Sequence, residues 1–283
     1  MNKLGGFIRL MRPVNCVMMG FAVFVGAILA TSQHFQGNWL NIIYGFFTGF
    51  MLTAAAMVIN DYYDRGIDAV NEPTRPIPSG LVSIKEALAF VVVLSVVGLV
   101  LAYFSSILCL LVAVAAWIIT ISYVTVGKRS GLPGNFLVST CVAIPFIYGS
   151  IAITNGLQLN VLLFAVMAFL SNTGREITKG IVDVKGDGAK GVKTLAVRYG
   201  EKKAAVAAAV FYVSAVALTP IPLLFRLVSF WFVPFVLVTD LGLVVSSVLL
   251  LRDQSRDNSR KIKNIVLLWF IIGLLAYIFG SIK

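Results

Sequence analysis

Two short acidic motifs carry the chemistry of this chain: Asp61, Asp64 and Asp68 in NDYYDRGID, then Asp183 and Asp187 in DVKGD. Each follows a long apolar stretch, where clustered carboxylates have little reason to sit unless a multivalent cation is held there. At about 100° per residue, Asn60, Asp61, Asp64 and Asp68 project within a sector of about 100° if a helix continues through them. Asp183 and Asp187 have the i, i+4 spacing that stacks two carboxylates on one helical face. Like charges so placed destabilise a helix by a few tenths of a kcal/mol, and a bound cation removes that penalty. Magnesium suits such sites because it takes one or two carboxylates and completes its octahedron with substrate phosphate oxygens. The expectation is a magnesium-dependent reaction of a phosphorylated substrate, with the two clusters converging on one diphosphate.

The elements that position these acids are membrane spans. Of the 283 residues, 59% are hydrophobic and 12% charged, and the mean hydropathy is +0.94, far from the roughly 25% charged content of soluble domains. Nine apolar stretches are long enough to cross a hydrocarbon core of roughly 30 Å as helices. They lie roughly at residues 14 to 30, 40 to 60, 86 to 104, 106 to 124, 135 to 153, 158 to 175, 203 to 219, 228 to 251 and 264 to 282. The third and fourth adjoin at Ser105 and Ser106, and Pro145 and Pro234 lie inside spans. The first stretch lacks a small-residue cleavage site and is not expected to be a signal peptide. Of the 23 Lys and Arg residues, only Arg226 and Lys283 fall outside the amino-terminal tail and the loops after even-numbered spans. The positive-inside rule then predicts a multi-pass cell-membrane protein with a cytoplasmic amino terminus, an external carboxyl terminus and its acidic motifs on the cytoplasmic side.

The net charge of +11 does not imply nucleic-acid binding, because the basic residues are confined to short loops facing anionic headgroups. Cys16, Cys109 and Cys141 are scattered among the spans without metal-ligand spacing and read as packing residues. A transporter is the rival from another class, but its ionisable groups usually gather near the midplane. These gather at one face. The halves resemble one another faintly: Asp68 and Asp187 precede Gly80 and Gly200 by 12 and 13 residues, each after an even-numbered span. Duplicated membrane halves commonly build a site at their interface.

The motif N-D-x-x-D-x-x-x-D from Asn60 to Asp68, followed by Asn71, Pro73, Arg75, Pro76, Ile77, Pro78, Ser79 and Gly80, resembles the first signature of the UbiA superfamily of intramembrane prenyltransferases. The stretch from Asp183 to Gly200 resembles the second, D-x-x-x-D with a downstream T-L-x-V-R-x-G. The resemblance implies one all-α domain over 1–283: nine tilted transmembrane helices around a central cavity, two four-helix halves plus a ninth helix, with cytoplasmic cap loops. It assigns metal and diphosphate to Asn60, Asp64, Asp68, Asp183 and Asp187, with Asp61 either a further magnesium ligand or an orienting neighbour. The segments IRLMRPVNCVMMGFAVFVGAILA and NTGREITKGIVDVKGD are similar to archaeal members that join a geranylgeranyl group from geranylgeranyl diphosphate to geranylgeranylglyceryl phosphate, making the second ether of a membrane lipid. The alternative within the superfamily alkylates an aromatic ring in quinone biosynthesis. Gly188 departs from relatives that carry Arg or Lys there, and Lys190 is the candidate replacement.

A leaving diphosphate also needs fixed cations. Arg65, Arg75, Lys128, Lys179, Lys185 and Lys190 lie on the expected metal side. The allylic cation left behind needs aromatic faces, worth up to about 2 kcal/mol each when desolvated, and Tyr62, Tyr63, Tyr123 and Tyr148 are the candidates. Arg12 and Asn15, with Lys128 and Arg129, are candidates for the acceptor phosphate. Asp240, inside a span at a cost of about 2.5–3.5 kcal/mol, is expected either to face the protein interior or to lie near a membrane surface. Glu201, Asp253 and Asp257 read as solvated surface, and so does His34.

Overall fold

The computed structural model describes residues 2–31, 39–189 and 191–282, with the side chains of Ile67, Val70 and Asn71 set aside; His34, Lys190 and Lys283 lie outside the described residues. The elements in order are α1 (Lys3–Met11), α2 (Pro13–Ala30), α3 (Trp39–Asn71), α4 (Ile84–Ser105), α5 (Ile107–Thr125), a 3-10 turn (Gly127–Arg129), α6 (Leu132–Thr154), α7 (Leu159–Val182), α8 (Val184–Ala189), α9 (Leu195–Tyr199), α10 (Glu201–Leu218), α11 (Ile221–Leu224), α12 (Phe232–Arg252) and α13 (Arg256–Gly280). No strand occurs among the described residues. A backbone in lipid must satisfy its own polar groups, which helices do locally.

Eight helical stretches among the described residues are long and apolar enough to cross a membrane: Pro13–Ala30, Trp39–Gly66, Ile84–Ser105, Ile107–Thr125, Leu132–Thr154, Glu201–Leu224, Phe232–Arg252 and Arg256–Gly280. They match eight of the nine expected spans. The remaining one, 158 to 175, does form a helix of 24 residues, α7. Its second half, however, carries Ser171, Asn172, Thr173, Arg175, Glu176, Thr178 and Lys179, so the apolar run is too short to qualify. The polar half faces inward: Ser171, Asn172, Thr173 and Thr178 are buried. Asn172 and Thr173 donate to the Ser139 hydroxyl at 3.1 and 2.9 Å, and the hydroxyls of Thr178 and Tyr212 lie 3.1 Å apart.

The break between the third and fourth spans falls where the two serines predict it. Ser106 is fully extended, and its hydroxyl accepts the Cys109 N–H at 3.0 Å, capping α5. Both spans leave large aliphatic side chains such as Val92, Val96, Leu111 and Ile118 exposed on their outer faces, which suits lipid as the solvent.

The chain divides into two compact units. The first comprises Met1–Ala27, Phe35–Thr125 and Pro145–Gly156; the second comprises Ile28–His34, Val126–Ile144 and Leu157–Lys283. The division of α6 falls at Pro145, whose ring removes one backbone donor from the helix. In the first unit α3 packs along α4 and α5, and α1 lies on α3. Its core joins Leu10, Cys16, Ala54, Ala55, Val58 and Leu94. Gly26 and Gly149 let α2 and α6 approach backbone to backbone there, since a Cβ at either would collide with the other helix. In the second unit α7 packs on α10 and α13, and α12 packs on the same two helices. Its core joins Ile177, Ile181, Ala204, Ala208, Tyr212, Leu250, Ile262 and Val266. The alanines of α10 bring that helix close to α7: Gly174 stands against the Tyr212 ring and the Ala208 carbonyl.

Candidate active site

In the first unit α3 continues as a single helix of 33 residues, about 50 Å, well past the end of its apolar span and through the whole first acidic motif. The motif therefore has the helical geometry its spacing demands, but its four polar residues divide into two pairs. Asn60 donates to Asp64 Oδ2 at 3.2 Å, one turn along the helix. Asp61 and Asp68, both buried, turn to arginines instead. Asp61 Oδ1 accepts from Arg12 Nη2 at 2.5 Å and lies 3.6 Å from Arg75 Nη1; Asp68 Oδ2 accepts from the same Arg75 nitrogen at 2.6 Å. Burial works against the Arg75 cation, yet its bond to Asp68 and the fields of Asp68, Asp61 and Glu72 outweigh it and lift the guanidinium above its usual value.

The two arginines arrive from separate segments, each fixed to α3 by its own packing. Arg12 ends α1 in a left-handed conformation, φ 51°, which costs about 1–2 kcal/mol for a residue with a Cβ. The bond to Asp61 holds it there. Helix α1 itself is docked through buried Leu10, through Arg9 donating to the Thr74 carbonyl at 3.1 Å, and through Lys3 paired with Glu86 at 2.5 Å. Glu86 also closes a capping box with Ser83 at the start of α4. Arg75 sits in the 72–83 segment, which is anchored by buried Ile77 and Val82.

Arg12 and Asn15, expected to bind the acceptor phosphate, converge on one place: both donate to Met57 Sδ, at 3.8 and 3.7 Å, one turn before Asp61. Arg65 is exposed but already engaged. It donates to the Tyr62 carbonyl at 2.7 Å, and its guanidinium lies 4.4 Å from the Tyr62 ring centre. Tyr62 packs edge-on against Tyr63, and Tyr62 and Tyr123 both flank the core beneath the motif. Tyr148 is not brought to the acids of the first motif. It is buried with its hydroxyl 3.4 Å from that of Thr48, which lies 13 residues before Asp61 on α3, about 20 Å along the helix.

The second acidic motif is arranged differently. Asp183 ends α7, and the N–H of Asp187 bonds back to the Asp183 carbonyl at 2.9 Å, so the two residues stand one helical turn apart where α8 begins. Both carboxylates line a cavity of about 550 Å³, along with Lys185 and two residues that sequence reasoning left as surface and topogenic charges, Glu201 and Arg256. One and two turns before Asp183, on the same face, Glu176 gathers two cations of α7. Its carboxylate takes Arg175 Nη1 at 3.1 Å and Lys179 Nζ at 3.4 Å. The i, i+3, i+7 spacing of Glu176, Lys179 and Asp183 carried that signal; nothing local in the sequence ties Arg256 to Asp183. Lys128 and Arg129 form the 3-10 turn, where the Arg129 carbonyl accepts the Lys193 N–H at 3.3 Å. Gly131, at φ 77°, allows this approach, since a Cβ there would strike the Lys193 carbonyl. Lys190 lies outside the described residues.

Among the described residues no three His, Cys, Asp or Glu side chains gather closely enough to hold a metal ion by themselves. That agrees with the ion pairs: Asp61 and Asp68 have their oxygens on guanidiniums, and magnesium would need substrate oxygens to complete its shell. Asp240 is separate from the second motif. Its Oδ2 accepts from the Thr219 hydroxyl at 2.7 Å, at the end of α10 opposite Glu201, about 27 Å away along this 18-residue helix.

Comparison with known proteins extends over the whole chain. Residues 19–273 match the UbiA prenyltransferase family. The chain is 34% identical over 284 residues to digeranylgeranylglyceryl phosphate synthase of Korarchaeum cryptofilum, covering 100% of this chain and 99% of that one. It is 37% identical over 278 residues to the protein of the same name from Archaeoglobus fulgidus, covering 96% and 94%. A solved structure described as concerning digeranylgeranylglyceryl phosphate synthase in membranes has a TM-score of 0.90 at 31% identity, over 100% of both chains. A UbiA homolog from Archaeoglobus fulgidus bound to GPP and Mg2+ shares the fold, with a TM-score of 0.69 at 16% identity over 96% of this chain and 99% of that one.

Proposed function

The chain belongs to the UbiA prenyltransferase family, and from that membership we propose that it transfers a geranylgeranyl group from geranylgeranyl diphosphate to the free glycerol hydroxyl of geranylgeranylglyceryl phosphate, forming the second ether bond of an archaeal membrane lipid. The observation that carries this reading is the full-length match, at 34 and 37% identity, to relatives named for that product. The convergence of Arg12 and Asn15 on Met57 favours an anionic acceptor over an aromatic ring.

The donor atoms present suit magnesium. Asn60 beside Asp64, Asp68, and Asp183 and Asp187 one turn apart offer oxygen ligands, with no thiolate or imidazole among them. We assign the metal to these five residues and give Asp61 the role of holding Arg12 and Arg75. When bound, magnesium supplies Lewis-acid stabilisation of the leaving diphosphate, worth several kcal/mol.

The chain's own side chains bind and orient. Arginine carries five N–H donors, and Arg75 uses only Nη1 on Asp68 and Asp61, leaving donors for the diphosphate. Lys128, Lys179, Lys185 and Arg65 add charge, and Arg12 with Asn15, Lys128 and Arg129 takes the acceptor phosphate. The donor C1–O bond breaks with its electron pair leaving on diphosphate. Tyr123, and Tyr62 once Arg65 is displaced from its ring, stabilise the allylic cation by their faces. The glycerol oxygen forms the new C–O bond, and its proton passes to the released diphosphate or to a carboxylate.

The reading includes α7 as a ninth span, a cytoplasmic amino terminus and an external carboxyl terminus, supported by the distribution of basic residues. The deciding experiment offers purified protein geranylgeranyl diphosphate and magnesium with either geranylgeranylglyceryl phosphate or a hydroxybenzoate. The ether lipid is the expected product. Prenylation of the hydroxybenzoate alone would move the protein to quinone biosynthesis, and no product from either acceptor, with solute flux in liposomes, would make it a transporter.

A further inference from the structure

The loop and helix start after the eighth span carry five basic residues, Arg252, Arg256, Arg260, Lys261 and Lys263, and the positive-inside rule accounts for all of them as a group. One is placed differently from the rest. Arg256 lines the cavity of about 550 Å³ that also holds Asp183, Asp187 and Lys185, and the other four do not. It has no ion-pair partner among the described residues, unlike Arg12 and Arg75, which share their charge with Asp61 and Asp68.

The backbone around it favours an anion as well. Glu201 is the first residue of α10 and Arg256 the first of α13, so two helices of 18 and 25 residues begin at this cavity. Helix N-termini carry roughly half a positive charge and unsatisfied N–H groups. The cap of α10, Gly200, has no side chain to satisfy them, whereas at α13 the Ser255 hydroxyl already takes the Asn258 N–H. A bare anion would also meet the carboxylates of Asp183, Asp187 and Glu201. A phosphate arriving with the divalent cation assigned to Asp183 and Asp187 would meet them neutralised, leaving Arg256 as a fixed counter-charge beside Lys185.

We propose that Arg256 is a substrate-phosphate contact, working across the cavity from Asp183 and Asp187. This inference rests on the metal assignment of those two acids. The ligand chemistry is a phosphate group, from the donor diphosphate or from the acceptor's glycerol phosphate, and the two sources can be separated by binding alone. The full-length protein in detergent is titrated with a non-ionising donor analogue, geranylgeranyl thiodiphosphate with Mg2+, and separately with geranylgeranylglyceryl phosphate, for the parent, Arg256→Ala and Arg260→Ala.

A charge-assisted hydrogen bond to phosphate is worth about tenfold or more in affinity. Arg256→Ala should therefore raise the Kd of one probe by at least fivefold, with Arg260→Ala within twofold of the parent, and the probe affected identifies the phosphate that Arg256 holds. A change below fivefold for both probes, or an equal loss from Arg260→Ala, overturns the proposal. Should Arg256→Ala fail to fold by its thermal transition, Arg256→Gln is judged by the same limits. The outcomes remain distinct from those of the underlying reading: if Asp183→Ala leaves transfer intact, the metal assignment fails, whereas loss of transfer in Asp183→Ala with unchanged binding in Arg256→Ala removes Arg256 alone.

Discussion

The two acidic motifs have similar sequence patterns, yet the first is tied into the protein and the second is set along a cavity. In the first unit Asp61 and Asp68 are buried and paired with guanidiniums brought by α1 and by the 72–83 segment. In the second, Asp183 and Asp187 are half-buried at a helix end, and the cations of α7 pair with Glu176 rather than with them. Removing one partner from a buried pair strands the other, a loss that reaches about 3–5 kcal/mol when both are fully buried. The first motif is thus partly structural without any ligand. The second depends on what binds.

The sharpest test of that contrast compares activity with stability. Asp64→Ala and Asp183→Ala should each lower kcat/KM for geranylgeranyl transfer by about a thousandfold or more, as expected from losing several kcal/mol of leaving-group stabilisation; steady-state kinetics in detergent would measure it, and near-parental rates would end the metal assignment. Asp61→Ala should destabilise the protein by about 1–3 kcal/mol, less than a fully buried pair because both arginines are partly exposed. Asp183→Ala should cost under about 0.5 kcal/mol without magnesium, as surface changes usually do. Thermal or denaturant unfolding with EDTA present compares the two directly, and equal losses would erase the distinction.

Magnesium with the donor analogue should stabilise the parent by about 2.7 kcal/mol at a hundredfold excess over Kd. Asp183→Ala should abolish that gain, whereas Asp61→Ala should retain part of it. Gly131→Ala lies outside both motifs but packs on the segment that follows the second; its positive φ and the collision with the Lys193 carbonyl should cost about 1–2 kcal/mol, read from the unfolding midpoint. The smallest effect is expected from Gly188→Arg. The position is exposed with open space around it, so the new cation should change stability by less than about 0.5 kcal/mol. Any gain in donor affinity would show that the second motif tolerates more positive charge.

Much of this was legible in the chain because the relevant signals are local. Eight spans follow from apolar run length, the α4–α5 break from two adjacent serines, and the one-turn separation of Asp183 and Asp187 from four-residue spacing. The run of 158 to 175 does form the α7 helix, but run length does not tell a lipid-facing polar residue from one turned inward to Ser139 or Tyr212. Residue type alone groups Tyr148 with the first motif, whereas its hydroxyl meets Thr48, about 20 Å along α3 from Asp61.

The sequence by itself determined that this is a helical membrane protein with two acidic, oxygen-only motifs, since hydropathy and helical periodicity act over neighbouring residues. Only the tertiary structure decided which acids those motifs have available. Asp61 meets Arg12 from 49 residues away, and Arg256 reaches the Asp183 cavity from the start of the last helix. Such pairings depend on how helices pack side by side, and no spacing along the chain encodes them.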